Sequence, residues 1–540
     1  MRCLAGLAGA SHERGAFMAK QPNFLYLITD QHRADWLGCS GHPVVRTPNI
    51  DALAARGTQF DNFHVASPVC MPNRASLMTG RMPSVHGLRY NGCALPRTAN
   101  TVVDVLRAAG YATAAIGKSH LQPFSPVPVP EGPAASDRPR PVAEAWQPQG
   151  GRYDNEQPAT YAGRTPAEVE TPYYGFEHVE MVTRHGDRTG GHYEQWFRDT
   201  VPNWQALWDN ANQLPHSYIC PQAYRTPVPV DLYPTSWIAD RAIDFIRGRQ
   251  GQADPFFAFV SFPDPHHPFN PPGKYWDMYN PDDFAVDLPY AAHQNPTPPM
   301  AVLKADHDSG KAPGNPYGVF HAGERAIREA MALTAGMITL IDDQIGRIVE
   351  ALHAAGLAED TIIVFNADHG DFMGDYNMLL KGPMPARSVT RVPFIWADPA
   401  MPRGKRSEAL ASTIDIAATI IDRAGLEPYN GIQGRSLLPV LGDIRAEHRD
   451  ALLIEFNEPV PSPGFRAPAR VRSLVTQGWR YTLYGGEDWG ELYDLTGDPA
   501  ESRNLWDDPA CAQTRAQLAE TLAHHLALQM DASPRATRFA

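Results

Sequence analysis

Cysteine is scarce. The chain has six in 540 residues, Cys3, Cys39, Cys70, Cys93, Cys220 and Cys511, and none forms a Cys-x-x-Cys pair. That excludes a disulfide scaffold and argues against zinc ribbons and thioredoxin-type exchange; it fits a reducing, cytoplasmic compartment. Long hydrophobic runs are missing as well. No stretch is apolar over the ~18–20 residues that a membrane span needs, so no membrane partner is expected. Excess positive charge is the third absence: 47 Lys and Arg stand against 60 Asp and Glu, a net charge of −13. A nucleic-acid surface needs a basic face and is not expected here. An enzyme of this charge that handles an anion would have to gather its cations at one place. There is no internal repeat. The start, MRCLAGLAGASHERGAF, is too poor in leucine for a secretory signal, and residues 1–22 read as a disordered tail.

What is present is a large core and many irregular connections, the latter signalled by 51 prolines. Short continuous apolar runs at Phe24–Ile28, Tyr111–Ile116, Phe256–Phe262 and Thr361–Phe365 read as buried parallel strands. Residues 326–355 read as a long helix with one apolar face, on which Asp342 and Asp343 are taken as surface charges. Beyond residue 446 the rhythm changes to short strands at Leu452–Phe456, Val471–Val475 and Trp479–Tyr484, then a last helix over 514–530. The expected division is an α/β catalytic domain over 23–445 and a C-terminal subdomain over 446–540. Residues 121–235 are expected to be an irregular insertion that shapes a substrate pocket.

Each apolar run ends in polar residues. Asp30-Gln31, Lys118-Ser119-His120, Asp264-Pro265-His266-His267 and Asp368-His369 follow the four strands in turn, and ligands of open α/β sheets sit beyond the carboxyl ends of strands. A fifth polar place is the stretch SPVCMPNRASLMTGR, residues 67–81. Pro68 and Pro72 stiffen a helix start, and Gly80 ends the helix. Cys70 therefore stands at a helix N-terminus, which suits an anion. Arg74, one turn on, is placed to offer a fork to an oxyanion. The spacing excludes a Cys-x5-Arg phosphatase loop. For a lone cysteine a buried structural place is the plainer reading. Asn91 is a candidate donor to a leaving oxygen. The polar run His185–Tyr193 reads equally as a pocket wall, an oligomer contact or a surface loop.

The stretch CMPNRASLMTGR resembles the signature of the type I, formylglycine-dependent sulfatases of the alkaline phosphatase superfamily. Asn73 departs from it, standing where that family usually has Ser or Ala. The other motifs follow in family order from about Asn23 to Leu505. The resemblance implies an alkaline-phosphatase-like sandwich: a large, mostly parallel sheet flanked by helices, plus a small C-terminal subdomain of antiparallel sheet and helix. It implies that a formylglycine-generating enzyme converts Cys70 to formylglycine, whose hydrate is the nucleophile. It implies one divalent metal ion on Asp30, Gln31, Asp368, His369 and residue 70. Ca2+ (calcium) is the expected ion, and the histidine makes Mn2+ the alternative. Arg74, Lys118 and Lys381 would offset charge on the substrate, His120 would deprotonate the second hydroxyl, and His266 rather than His267 would protonate the leaving alcohol. The activity implied is hydrolysis of a small-molecule sulfate monoester, arylsulfatase-like; the sequence leaves the oligomeric state open, with a homo-oligomer among the states it allows. The alternative within the superfamily is a phosphonate monoester or phosphodiester hydrolase, which shares the metal set but tends to carry uncharged hydroxyl residues at the Lys-x-His pair. A non-catalytic anion-binding protein with unmodified Cys70 is the reading from another class.

Overall fold

The computed structural model describes residues 21–127, 150–163, 166–313, 315 and 317–538. The expected tail, residues 1–22, lies outside them up to residue 20. One sheet organises the larger, N-terminal part. Its nine strands are β1 (Asn23–Thr29), β2 (Thr58–Phe60), β3 (Ala112–Lys118), β4 (His178–Thr183), β5 (Gly190–Gly191), β6 (Phe256–Ser261), β7 (Thr361–Ala367), β8 (Phe394–Ala397) and β9 (Lys405–Ser407). Their spatial order is β9-β2-β8-β7-β1-β6-β3-β4-β5. The central five, from β7 to β4, run parallel. β8 turns against β7 and β2, and β5 turns against β4.

The apolar runs have their physical reason here. Every residue of β1, β6 and β7 is buried, because helices cover both faces of the sheet. Phe24, Tyr26 and Phe259 pack on one face with Met71, Ala75 and Leu77 of the helix α1 (Cys70–Thr79). Leu25, Leu27 and Val260 pack on the other with Ile238 and Ile243 of α2 (Pro234–Gly248) and Ile341 and Ile345 of α3 (Glu324–Ala354).

Two expectations need correction. Residues 121–235 are not irregular throughout: they supply β4, β5 and a helix over His192–Thr200. β4 lies near the sheet edge and buries only its last three residues fully, so its sequence, HVEMVT, carries no clean apolar run. Asp342 is not a surface charge. It is fully buried and accepts from the backbone N–H of Asn49 (3.1 Å) and Ile50 (2.8 Å), holding the first turn of the helix over Pro48–Arg56.

The C-terminal part is a four-stranded antiparallel sheet of Ala451–Asn457, Arg470–Thr476, Trp479–Tyr484 and Gly490–Asp494 in sequence order, with a helix over Ala512–Leu528. Leu453, Leu474, Tyr481 and Leu492 pack there against Ala66, Met82 and Ile414 of the N-terminal part. Glu455 joins the two chemically: its carboxylate accepts the N–H (2.9 Å) and hydroxyl (2.7 Å) of Ser84, and its own N–H donates to the Ala66 carbonyl (2.9 Å). The sheet thus braces the loop that leads into α1. Among the described residues no helix is long and apolar enough to cross a membrane.

A second brace is Asp415, in the first turn of α4 (Ile414–Arg423). Its buried carboxylate accepts from Ser412 N (3.0 Å), Arg435 N (2.8 Å), His448 Nε2 (3.1 Å) and the Arg449 guanidinium (Nε, 3.0 Å). Burial alone would raise its pKa; the Arg449 charge and the donors outweigh it and hold the carboxyl well below the usual range. That stabilisation is present above the unfolded carboxyl's pKa of about 4 and is lost as pH falls below it. Asp415→Asn is expected to lower unfolding free energy by about 3–5 kcal/mol, read as a lower urea midpoint. An unchanged midpoint would sink this assignment.

Candidate active site

Four parallel strands and one helix deliver the site. Asp30 and Gln31 follow β1, Lys118 ends β3, the His266-His267 pair follows β6, and Asp368-His369 follows β7. α1 points its N-terminus at the same place, with Cys70 as its first residue and Gly80 closing it at φ +59°. All ten residues of α1 are buried, so its dipole acts with little solvent screening.

Cys70 Sγ lies 3.1 Å from His369 Nε2 and 3.7 Å from Asp30 Oδ1. His369 donates Nδ1–H to the Gly370 carbonyl (2.9 Å), which leaves the Nε2 lone pair facing Asp30 Oδ1 (3.5 Å) and Asp368 Oδ1 (3.6 Å). A histidine oriented by a carbonyl in this way has the arrangement of a metal ligand. Burial, and then the Lys381 charge, lower its pKa to about 4, so the ring is neutral. The ligating atoms of Asp30, Cys70, Asp368 and His369 all lie within 4.8 Å of one another and all four residues are buried. Two carboxylates and a lone-pair nitrogen in one dry spot fit a divalent cation. Burial, and then the Asp30 charge, push the Cys70 thiol up to about 11.

The positive groups surround this cluster. Lys118 Nζ meets the Asp30 carboxylate and, at 2.6 Å, His185 Nε2. Lys381 Nζ donates to Gln31 Oε1 (2.7 Å) and His266 Nε2 (2.9 Å). The rings of His185 and His266 stack 3.5 Å apart, so the two lysines are linked through two stacked imidazoles. His266 Nδ1–H donates to the His267 carbonyl (2.6 Å). His266 is therefore in the array, and His267 stands beside it with Nδ1 3.3 Å from Gln31 Nε2. Burial would raise the pKa of Asp30; Lys118, His185, His266 and Arg74 overcome that and hold it well below the usual range. His120 is buried and stacked on Phe124 (4.1 Å), with Nδ1 unpartnered and its backbone N–H donating to Glu156 Oε2 (2.9 Å). Burial first, and then Lys118, keep it neutral.

Three side chains point elsewhere than expected. Arg74 does not offer its fork to an oxyanion. Its Nε donates to Asp368 Oδ2 (2.7 Å), Nη1 to the Lys118 carbonyl and Ser261 Oγ (both 2.8 Å), and Nη2 to Asp30 Oδ2 (3.4 Å). Two buried carboxylates attract it more strongly than an open pocket could. Gln31 is adjacent to the cation ligands, but its amide oxygen accepts from Lys381 and its amide nitrogen donates to Asp371 Oδ2 (2.5 Å). Asn91 does not reach toward a leaving group: its Oδ1 accepts the Met71 N–H (3.1 Å) in the first turn of α1. Asn91→Ala is accordingly expected to lower stability by about 1 kcal/mol and leave kcat within about two-fold; a kcat loss of about 100-fold would restore the leaving-group role.

The sequence marks His185 only as the start of a polar run that reads equally as a pocket wall, an oligomer contact or a surface loop, and it gives no sign of Glu156. His185 lies two residues beyond the end of β4, so the strand-end rule would have found it had that edge strand been recognised. Glu156 carries no motif; it is legible only from the three backbone N–H groups it collects at His120, Leu121 and Gln122. The departure at Asn73 has a structural use. Its Oδ1 accepts from Ala66 N (3.0 Å), and its Nδ2 donates to the Asp368 carbonyl (2.6 Å), tying α1 to the end of β7.

Known proteins match the chain over nearly its whole length. The sulfatase family profile matches residues 22–161 and 165–426. A second, described as N-sulphoglucosamine sulphohydrolase, C-terminal, matches residues 374–527. The chain is 28% identical over 499 residues to an arylsulfatase of Clostridium perfringens, covering 90% of each. It is 28% identical over 518 residues to a multifunctional alkaline phosphatase superfamily protein of Trinickia caryophylli, covering 91% of this chain and 92% of that one. Among solved structures, a phosphonate monoester hydrolase of Agrobacterium radiobacter matches with a TM-score of 0.74 at 27% identity, over 96% of this chain and 98% of that one.

Proposed function

The chain belongs to the sulfatase family and is a sulfuric ester hydrolase; from there we propose that it cleaves an aryl-type sulfate monoester with formylglycine at position 70 and one divalent cation. The observation that carries this reading is the convergence of two carboxylates, a neutral imidazole and two lysine ammoniums on the first residue of α1.

Asp30, Asp368 and His369, with Gln31 beside them, would hold the cation, Ca2+ on the carboxylates or Mn2+ given the imidazole. Bound there, it supplies a Lewis acid for a sulfuryl oxygen. Formylglycine supplies, as its hydrate, an oxygen nucleophile and a second hydroxyl whose deprotonation releases sulfate. The chain's own side chains do the rest. Lys118 and Lys381 flank the anion and offset its charge. His266 has its Nδ1 proton fixed on the His267 carbonyl and its Nε2 lone pair on the Lys381 ammonium at 2.9 Å, so the proton for the leaving alcohol comes from Lys381 and passes through Nε2, which returns to its neutral form as the alcohol takes it. His120, neutral and with Nδ1 unpartnered, accepts the proton of the second hydroxyl. Arg74 acts one step back, keeping Asp30 and Asp368 ionised and aligned. Maturation by a formylglycine-generating enzyme and a homo-oligomeric state belong to the same proposal. So does a cytoplasmic location, which rests on sparse cysteines that are unpaired among the described residues.

The 27% identity to a phosphonate monoester hydrolase makes that chemistry the second reading, and Lys118 with His120 favours sulfate over it. The test is paired initial rates on an aryl sulfate and an aryl phosphonate monoester, with conversion of residue 70 verified by peptide mass. We expect a higher kcat/KM for the sulfate. A higher value for the phosphonate would make the shared metal set the better guide.

A further inference from the structure

A cavity of about 760 Å³ opens beside Lys381. Its wall is drawn from places far apart in the chain: the helix over Pro298–Asp308, the strand Phe320–His321, the residues after Lys381, and the segment 458–463 of the C-terminal part. Of the stretch 121–235, expected to shape the pocket, only Ile219 and Pro221 contribute. Lys381 is common to the cavity and the site, since its Nζ reaches Gln31 and His266.

The lining is mainly apolar, with Pro299, Leu303, Val319, Phe320, Ala322 and Met384 forming much of it. Two of its cations are already neutralised: Lys311 pairs with Asp306 (2.8 Å) and Arg325 with Glu329 (3.0 Å). One apolar side chain of the wall, Ile219, stands 59% exposed. Tyr317, 62% exposed, lies with its ring centroid 5.9 Å from that of His267 beside the site. A monomer gains nothing by presenting such groups to water beside a catalytic site unless a ligand covers them.

We propose that this cavity takes the alcohol half of the ester, and that the alcohol is predominantly apolar and larger than one ring. This rests on the reading of the site as an ester hydrolase. Glu458 also lines the cavity; its carboxylate accepts from the Ser462 hydroxyl and has no ion pair among the described residues, so it is the one charged group of the wall that a ligand's polar group could meet. A sugar would find polar partners at His321, Glu458 and Ser462 but would set most of its hydroxyls against the aliphatic and aromatic carbon of the rest of the wall. A single phenol ring would fill only a small part of a space typical of drug-sized ligands.

The experiment is a ladder of phenolic alcohols of matched acidity, with one, two and four fused rings. Each is presented as its sulfate and as its phenylphosphonate monoester to the converted, cation-loaded full chain. A quaternary-ammonium alkyl sulfate and a sulfated disaccharide serve as comparators. In whichever ester class is turned over, kcat/KM is expected to rise about ten-fold or more from one ring to four. Val319→Trp should lower it about ten-fold more for the two- and four-ring esters than for the one-ring ester. Ile219→Ser, at an exposed position that folding does not depend on, should lower it for the four-ring ester alone. A flat ladder with no size-dependent effect of either variant, or a higher kcat/KM for the disaccharide or the ammonium ester, overturns the proposal. If only phosphonates turn over, the sulfate reading fails, and the phosphonate ladder still decides the cavity.

Discussion

Cys70→Ala is expected to lower kcat on an aryl sulfate by about 10⁴-fold or more while leaving the fold in place. The size follows from the position. Residue 70 is the first residue of a wholly buried helix, within 3.1 Å of His369 and 3.7 Å of Asp30. The fold should survive because α1 is anchored through other residues: Asn73 to the end of β7, Arg74 to β1 and β7, and Met71 to Asn91. The unconverted cysteine should also be slow. With its thiol pushed up to about 11, little thiolate is present near neutrality, and activity should track the converted fraction of the preparation. Single-turnover rates and thermal melts on the same samples check both halves. A variant that keeps a tenth of the activity would mean that residue 70 is not the nucleophile.

Arg74→Ala should have the second-largest effect, and it should appear in stability and cation affinity before it appears in turnover. Asp30 and Asp368 are fully buried, as is Arg74 itself. Removing the guanidinium leaves two carboxylates with less compensation, a change that costs about 3–5 kcal/mol in buried ion pairs. Loss of such an outer partner lowers metal affinity by about 10–100-fold. A saturating cation supplies part of the missing charge, so the melting temperature should recover more in the variant than in the parent when the cation is added. Lysine should not replace the arginine, because one ammonium cannot span Asp30, Asp368 and Ser261 at once. The competing expectation, an arginine that binds the oxyanion, predicts unchanged cation affinity and an unchanged cation-free melt, with loss confined to kcat/KM. Isothermal titration of the cation, with melts in chelator and in excess cation, separates the two.

The sequence carried the placement of backbone better than the aim of side chains. β1, β6 and β7 are legible because burial on both faces forces continuous apolar residues, and the residues after them fall at the site because strands end there. Arg74 shows where that legibility ends. Its fork is oriented by carboxylates 44 and 294 positions away, and a motif places a residue without saying which of several partners attracts it. The same holds for Gln31, whose amide is shared by Lys381 and Asp371, and for Asn91, which holds a helix turn. His185 was legible only as part of a polar run of open role, because β4 lies near a sheet edge, where partial exposure removes the apolar signature. The cavity wall was hidden because it joins segments that lie far apart in the chain. Asp342 misled because a buried acid that caps a distant helix looks, in one dimension, like any exposed acid on a helix.

The burial of residue 70 also sets a deadline. Its side chain is 2% exposed, and the cover is assembled from strands made much later: His369 follows Cys70 by 299 positions, and the bracing strand Ala451–Asn457 comes later still. At a synthesis rate of 5–20 residues per second, the ribosome needs roughly 15–60 s to travel from the cysteine to that histidine. During that interval α1 has no β7 to dock on, and the thiol is open to another protein; once β7 pairs, it is sealed. If residue 70 is converted as proposed above, the converting enzyme would therefore have to work on the growing chain rather than on the finished one. Cells that make this protein faster than the converting enzyme can visit it will accumulate a stable, folded and inactive fraction. Adding converting enzyme to that folded fraction should not recover its activity, whereas unfolding it, exposing it to the enzyme and refolding it should.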